Sequence, residues 1–72
     1  MTAKTTYYIN SLDPKLRREL NYLRNLPKET GNPGTAKAEI RGYLNALKDM
    51  GIISDVQFRV LLIHYTNFKE VE

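Results

Sequence analysis

The ionisable and nucleophilic side chains of this 72-residue chain are few, and they bound its chemistry tightly. His64 is the one histidine, and there is no cysteine. No carboxylate stands at helical spacing from His64, so neither a metal site nor a nucleophile–base pair can be assembled locally. A partly exposed surface histidine is the expectation. Asp13, Glu19, Glu29, Glu39, Asp49 and Asp55 are scattered at helix starts and on polar faces, and no two of them suggest acid–base work. Gly31-Asn32-Pro33-Gly34 precedes a helical pattern but lacks the Gly-Lys-Ser/Thr ending of a phosphate loop, so it reads as a turn. These residues point away from an enzyme, and no cofactor or metal is expected.

The remaining chemistry is charge. Between Asp13 and Lys28 stand five bases, Lys15, Arg17, Arg18, Arg24 and Lys28, against two acids, Asp13 and Glu19. That surplus equals the formal net charge of the whole chain, +3. On a helix, Arg17, Asn21, Arg24 and Lys28 share one edge, a geometry that can follow phosphates. The competing reading is a solvated helix face. No helix carries Arg, Asn or Gln in a pattern suited to a major groove, which leaves an accessory nucleic-acid contact as the alternative function.

The elements that position these residues are helical in pattern. Asp13-Pro14 couples a capping carboxylate to a proline at the first helical position. Leu16, Leu20, Leu23 and Leu26 follow at spacings of four and three, predicting a helix over about 14–25 that Pro27 closes. The segment 27–35 (PKETGNPGT) reads as a polar loop. Thr35 then caps a second helix, about 36–50, with its apolar stripe at Ile40, Tyr43, Leu44, Leu47 and Met50. Gly42 within it costs about 1 kcal/mol relative to Ala unless another backbone packs there, and close packing is expected.

The stretch Gly51 to Tyr65 is the most explicit. Gly51 supplies a left-handed helix stop, with Ile52 expected to fold back on Leu47. Ser54 and Gln57 form a capping box, Ile53 and Phe58 occupy the staple positions, and Asp55 complements the helix dipole. A third helix, 55–66, follows in an antiparallel hairpin. At about 100° per residue, Phe58, Leu61, Leu62 and Tyr65 share one face, while Val56, Val60 and Ile63 lie nearly opposite. A helix apolar on two faces calls for two partners. Val56, Val60 and Ile63 are therefore the candidate partner interface, unless helix 14–25 covers them in a compact monomer.

Thr5 to Ile9 (TTYYI) has strand-like composition, and an extended arm or the lead-in to the first helix is expected there, with Tyr7, Tyr8 and Ile9 covering apolar surface. A strand pairing of Thr5–Ile9 with Phe58–Thr66 is the alternative, opposed by the capping box. Residues 1–8 and 69–72 are expected to fray, with Phe68 left as a docking residue. The length allows one domain, 1–72, of marginal stability, for which oligomerisation is a common remedy. No apolar run approaches the roughly 18 residues of a membrane span, and polar TAKTT follows Met1, so a cytoplasmic protein is expected. The isoelectric point, near 9.3, permits nucleic acid without requiring it.

Leu44, Leu47, Gly51, Ile52, Ile53, Ser54, Gln57 and Phe58 resemble the short C-terminal (SHOCT) hairpin. That pattern is leucines, Gly-hydrophobic-hydrophobic-Ser/Thr, two residues, then an acidic or amide residue before Phe. The resemblance covers residues 39–66 and implies a hairpin that mediates oligomerisation. It departs from the pattern in VLLIHY, where the family has a charged second helix. The hairpin is also similar to the hooks through which Sin-type repressors and antirepressors pair. The expected whole is an all-α, three-helix protein that is not an enzyme. Its expected role is regulatory, by contact with a protein partner or with itself. Its size and sparse chemistry suit a regulator encoded by a phage or mobile element.

Overall fold

The computed structural model describes residues 2–30 and 33–67, except the side chains of 27–30 and 33. Four helices follow one another: α1 (Ala3–Ser11), α2 (Pro14–Thr30), α3 (Pro33–Asp49) and α4 (Asp55–Thr66). The all-α expectation holds, with one more helix than the sequence pattern indicated. No strand occurs among the described residues, so Thr5–Ile9 and Phe58–Thr66 do not pair as strands.

The additional helix is α1, where composition pointed to an extended arm and a frayed start. The Thr2 hydroxyl accepts from the Thr5 N–H at 3.1 Å, satisfying one of the donors that a helix start leaves open. At the other end the Leu12 N–H closes on the Ile9 carbonyl. α1 packs on α4, with Tyr8 and Ile9 half-buried against the core. The β-propensity of TTYYI reflects fit to a half-buried surface, and a helix with one half-buried edge meets that demand as well.

The Asp13 cap forms as expected: its Oδ1 accepts from the Lys15 N–H at 2.9 Å and its carbonyl from the Arg17 N–H at 3.1 Å. Two boundaries differ from the sequence pattern. α2 does not stop at Pro27 but runs to Thr30, and α3 begins at Pro33, ahead of Thr35. The stretch 27–35 is therefore mostly helix. Gly31 and Asn32 lie outside the described residues, as do Phe68 and 69–72. A proline within a helix gives up the hydrogen bond to the carbonyl four residues before it, here that of Leu23, and its ring crowds that carbonyl, a cost of about 3 kcal/mol. Packing of α2 on α3 offsets that loss, and Leu20 and Leu23 are buried there. Pro33 occupies the first helical position, where a missing N–H costs nothing.

The hairpin between α3 and α4 follows its sequence closely. Gly51 has φ +76°, the left-handed conformation that L side chains rarely adopt. The Gly51 N–H donates to the Lys48 carbonyl at 3.0 Å and the Ile52 N–H to the Leu47 carbonyl at 2.9 Å, the paired bonds of a Schellman ending. Both arms of the capping box are made: Gln57 N–H to Ser54 Oγ at 3.1 Å, and Ser54 N–H to Gln57 Oε1 at 2.7 Å. Ile53 is the turn residue that enters the core, while Ile52, expected to fold onto Leu47, stays half exposed. Lys48 bridges the hairpin, its Nζ 3.6 Å from Asp55 Oδ1 and 4.6 Å from the centre of the Phe58 ring.

One core results. Leu12, Leu20, Leu23, Ile40, Leu44, Leu47, Ile53, Leu61 and Tyr65 form a continuous buried cluster, with Leu16, Leu26, Tyr43, Phe58 and Leu62 around it. Met50, placed on the apolar stripe of α3 by its spacing, points outward instead. Gly42 also departs from expectation: a Cβ built there meets nothing within 4 Å, so no helix packs closely against it. Gly42→Ala should therefore raise stability by about 1 kcal/mol through helix propensity. Gly51→Ala should lower it by about 1 kcal/mol through the left-handed φ. Urea unfolding of the two variants beside the parent checks these opposite signs.

Candidate functional site: an apolar helix face and a cationic groove

Two surfaces collect the residues singled out by sequence. On α4, the outward stripe is open to solvent: Val56 is 49% exposed and Ile63 70%, with Val60 half-buried between them. The opposite side of α4 carries Leu61 and Tyr65 into the core, and Phe58 and Leu62 pack against its edge. α4 is thus apolar on two faces and buried on one. Met50 and Ile52 continue the exposed apolar surface into the turn that leads to α4. Arg59 lies exposed beside the stripe.

The second surface is a groove of about 470 Å³ lined by Ile9 of α1, Pro14, Arg17, Arg18 and Asn21 of α2, and His64 and Tyr65 of α4. The register of α2 against α4 creates it. Arg17 and Asn21 are one turn apart on the same edge, and that edge faces the C-terminal turn of α4. Of the five bases predicted to contact nucleic acid, Arg17 and Arg18 line the groove. Arg24 stands near enough to act electrostatically on both His64 and Tyr65. Lys15 is exposed outside the lining, and Lys28 lies in α2 with its side chain outside those described. Among the described residues no carboxylate lines the groove.

One polar atom of the groove is left unsatisfied by the described residues. Arg17 Nε is buried without a hydrogen-bond partner. Leaving such a group unpaired costs roughly 1–3 kcal/mol. Tyr65 is 1% exposed, its ring packed in the core. Burial raises the Tyr65 pKa above 10.0, while Arg17 and Arg24 pull it the other way. The His64 ring meets the Tyr65 ring edge-on at 4.8 Å between centres. Burial lowers the His64 pKa below 6.5, and the positive charge of Arg24 lowers it further. His64 is therefore a neutral imidazole at pH 7, and it is partly exposed, as expected.

The groove can bind and orient an anion; it holds no nucleophile–base pair. Among the described residues no group of three or more His, Cys, Asp or Glu could hold a metal ion. No helix among them is long and apolar enough to cross a membrane. The participation of His64 and Tyr65 was not legible, because it depends on which residues of α2 face the end of α4. The one signal was the Arg17–Asn21–Arg24 edge itself. No known protein family matches this chain, and neither a curated protein nor a solved structure is similar to it.

The lowered His64 pKa carries a stability consequence. In the unfolded chain His64 titrates near 6.5, above its folded value, so below that pH the unfolded state binds a proton the folded state resists. This contribution is present above pH 6.5 and lost as pH falls through the folded pKa. The drop in thermal midpoint between about pH 7.5 and about pH 5.5 should be smaller in His64→Gln than in the parent. Equal drops would remove His64 as a titrating contributor.

Proposed function

We infer that the protein acts by protein–protein contact through the outer face of α4, and that self-association is the form this contact takes. The observation that carries the reading is the exposed stripe of Val56, Val60 and Ile63 on a helix whose other face is already buried. Apolar side chains gathered on one face gain about 25 cal/mol per Å² when covered. Three such residues fall short of the roughly 800 Å² per partner of a standard interface. The contact must therefore take in neighbours such as Ile52 and Met50, and it belongs to the weak, concentration-dependent class. The resemblance to the short C-terminal hairpin points the same way. A non-enzymatic, regulatory role fits a chain whose described residues assemble no nucleophile–base pair, and a phage or mobile-element regulator fits its size.

Sedimentation equilibrium across a wide concentration range tests the reading. The average mass should rise with concentration. Val60→Glu with Ile63→Glu should weaken association about tenfold or more while leaving helical circular dichroism intact. A parent that stays monomeric throughout, or a double variant that associates unchanged, sinks it.

A second reading, nucleic-acid contact, has one specific observation in its favour: Arg17, Arg18 and Asn21 share a groove that no carboxylate among the described residues lines. It requires affinity for a DNA duplex that falls steeply with salt, as phosphate contacts do. Affinity should also drop in Arg17→Ala with Arg24→Ala.

A further inference from the structure

Four features of the α1–α2–α4 groove converge on one ligand chemistry. Arg17 Nε is buried without a hydrogen-bond partner, and no carboxylate among the described residues forms an ion pair with Arg17. An anion therefore displaces no existing ion pair on entering. Arg18 joins it from the next position of α2, and Asn21 adds an amide one turn on. Tyr65 is sunk into the core yet lines the groove, so its ring is held in place by packing. His64 completes the wall, and no acidic side chain stands among the lining residues.

The donors approach from more than one direction, α2 on one side and α4 on the other. That arrangement suits a tetrahedral oxyanion better than a planar carboxylate, which a single arginine fork satisfies. Two guanidiniums with no acid between them suit a charge approaching −2, the charge of a phosphate monoester near neutral pH. The volume, about 470 Å³, exceeds what one phosphate needs and leaves space for the group that bears it.

We propose that this groove is a phosphate-binding site, in which Arg17 and Arg18 neutralise the anion while Asn21 and the Tyr65 hydroxyl donate to its oxygens. His64, neutral at pH 7, sits against the Tyr65 ring and fixes its edge of the wall. The phosphate has two sources with the same chemistry, a small monoester or the backbone of a nucleic acid. The site stands apart from the outer face of α4, so a protein that binds phosphate and never self-associates would keep this proposal and lose that reading.

The test is a titration of the ¹⁵N-labelled full chain with inorganic phosphate, followed by NMR at the Arg17 Nε–H, the Asn21 side-chain amide and the His64 ring, with chloride at matched ionic strength as control. Saturable shifts at these groups are expected with phosphate and not with chloride. Arg17→Gln should weaken binding about tenfold, the loss expected for a charge-assisted contact. Tyr65→Phe keeps the core ring, removes only the hydroxyl, and should weaken binding several-fold. Arg18→Gln, an exposed substitution, provides a further variant in which loss of binding cannot reflect loss of fold. Two competition arms then assign the source. A DNA duplex that displaces phosphate from these groups assigns the site to a nucleic-acid backbone. A nucleoside monophosphate that displaces it where the duplex does not assigns the site to a small monoester and removes the nucleic-acid reading alone. Absence of saturable shifts, shifts equalled by chloride, or binding unchanged in all three variants overturns the proposal.

Discussion

The conformation of Gly51 sets the phase of everything that follows it. At φ +76° it ends α3 on the carbonyls of Lys48 and Leu47, and three residues later the Ser54–Gln57 box starts α4. The turn is so short that it fixes the rotation of α4 about its own axis as well as its direction. One inserted residue would rotate the helix by about 100°, replacing the Leu61–Tyr65 face with part of the Val56–Ile63 stripe or a polar strip. Ile53 buries itself within the same turn and holds that phase from the core side. The outward stripe and the inward core are thus two results of one backbone constraint.

Tyr65 carries that constraint from the core to the groove. A leucine at this position would fill similar apolar space but present no donor. The ring reaches from the Leu20–Leu44–Leu61 cluster to the cationic edge of α2, so polar and apolar demands meet in one side chain. The electrostatic effect of Arg17 and Arg24 on Tyr65 follows from that reach. α1 completes the arrangement by laying Ile9 against the same place.

Local interactions were legible in the sequence, and tertiary ones were not. The Asp13 cap, the capping box, the Schellman stop and the leucine stripe all depend on residues within a few positions of one another, and each formed as its spacing indicated. α1 escaped because Thr5–Ile9 has no strong helical periodicity of its own. Its Thr2 cap is a weak signal, and its helix is completed by contact with α4, far along the chain. Pro27 misled because its local penalty, a lost hydrogen bond and a crowded carbonyl, is outweighed by packing between α2 and α3. Of the site, the stripe on α4 and the basic edge of α2 were readable as periodicities. Their relation to His64 and Tyr65 required the relative register of α2 and α4, which no spacing within either helix encodes.

The groove is also where the chain departs from what stability alone favours. Arg17, Arg18 and Arg24 project from one stretch of α2 toward or beside the end of α4, while the described ion pair, Lys48–Asp55, lies at the hairpin end. A carboxylate at position 21 or 64 would place a negative charge in the same groove as Arg17, yet asparagine and histidine occupy those positions. Small domains have only a few kcal/mol of net stability to set against such costs, so an unpaired buried guanidinium nitrogen is a substantial concession. An anion that binds the folded chain and not the unfolded one returns that stability by mass action, in proportion to its concentration over its dissociation constant. On the proposed reading, a cationic cluster with no acid among its described lining residues would couple the stability of α1, α2 and α4 to an external anion, and local sequence rules are broken at the place where such a ligand would repair them.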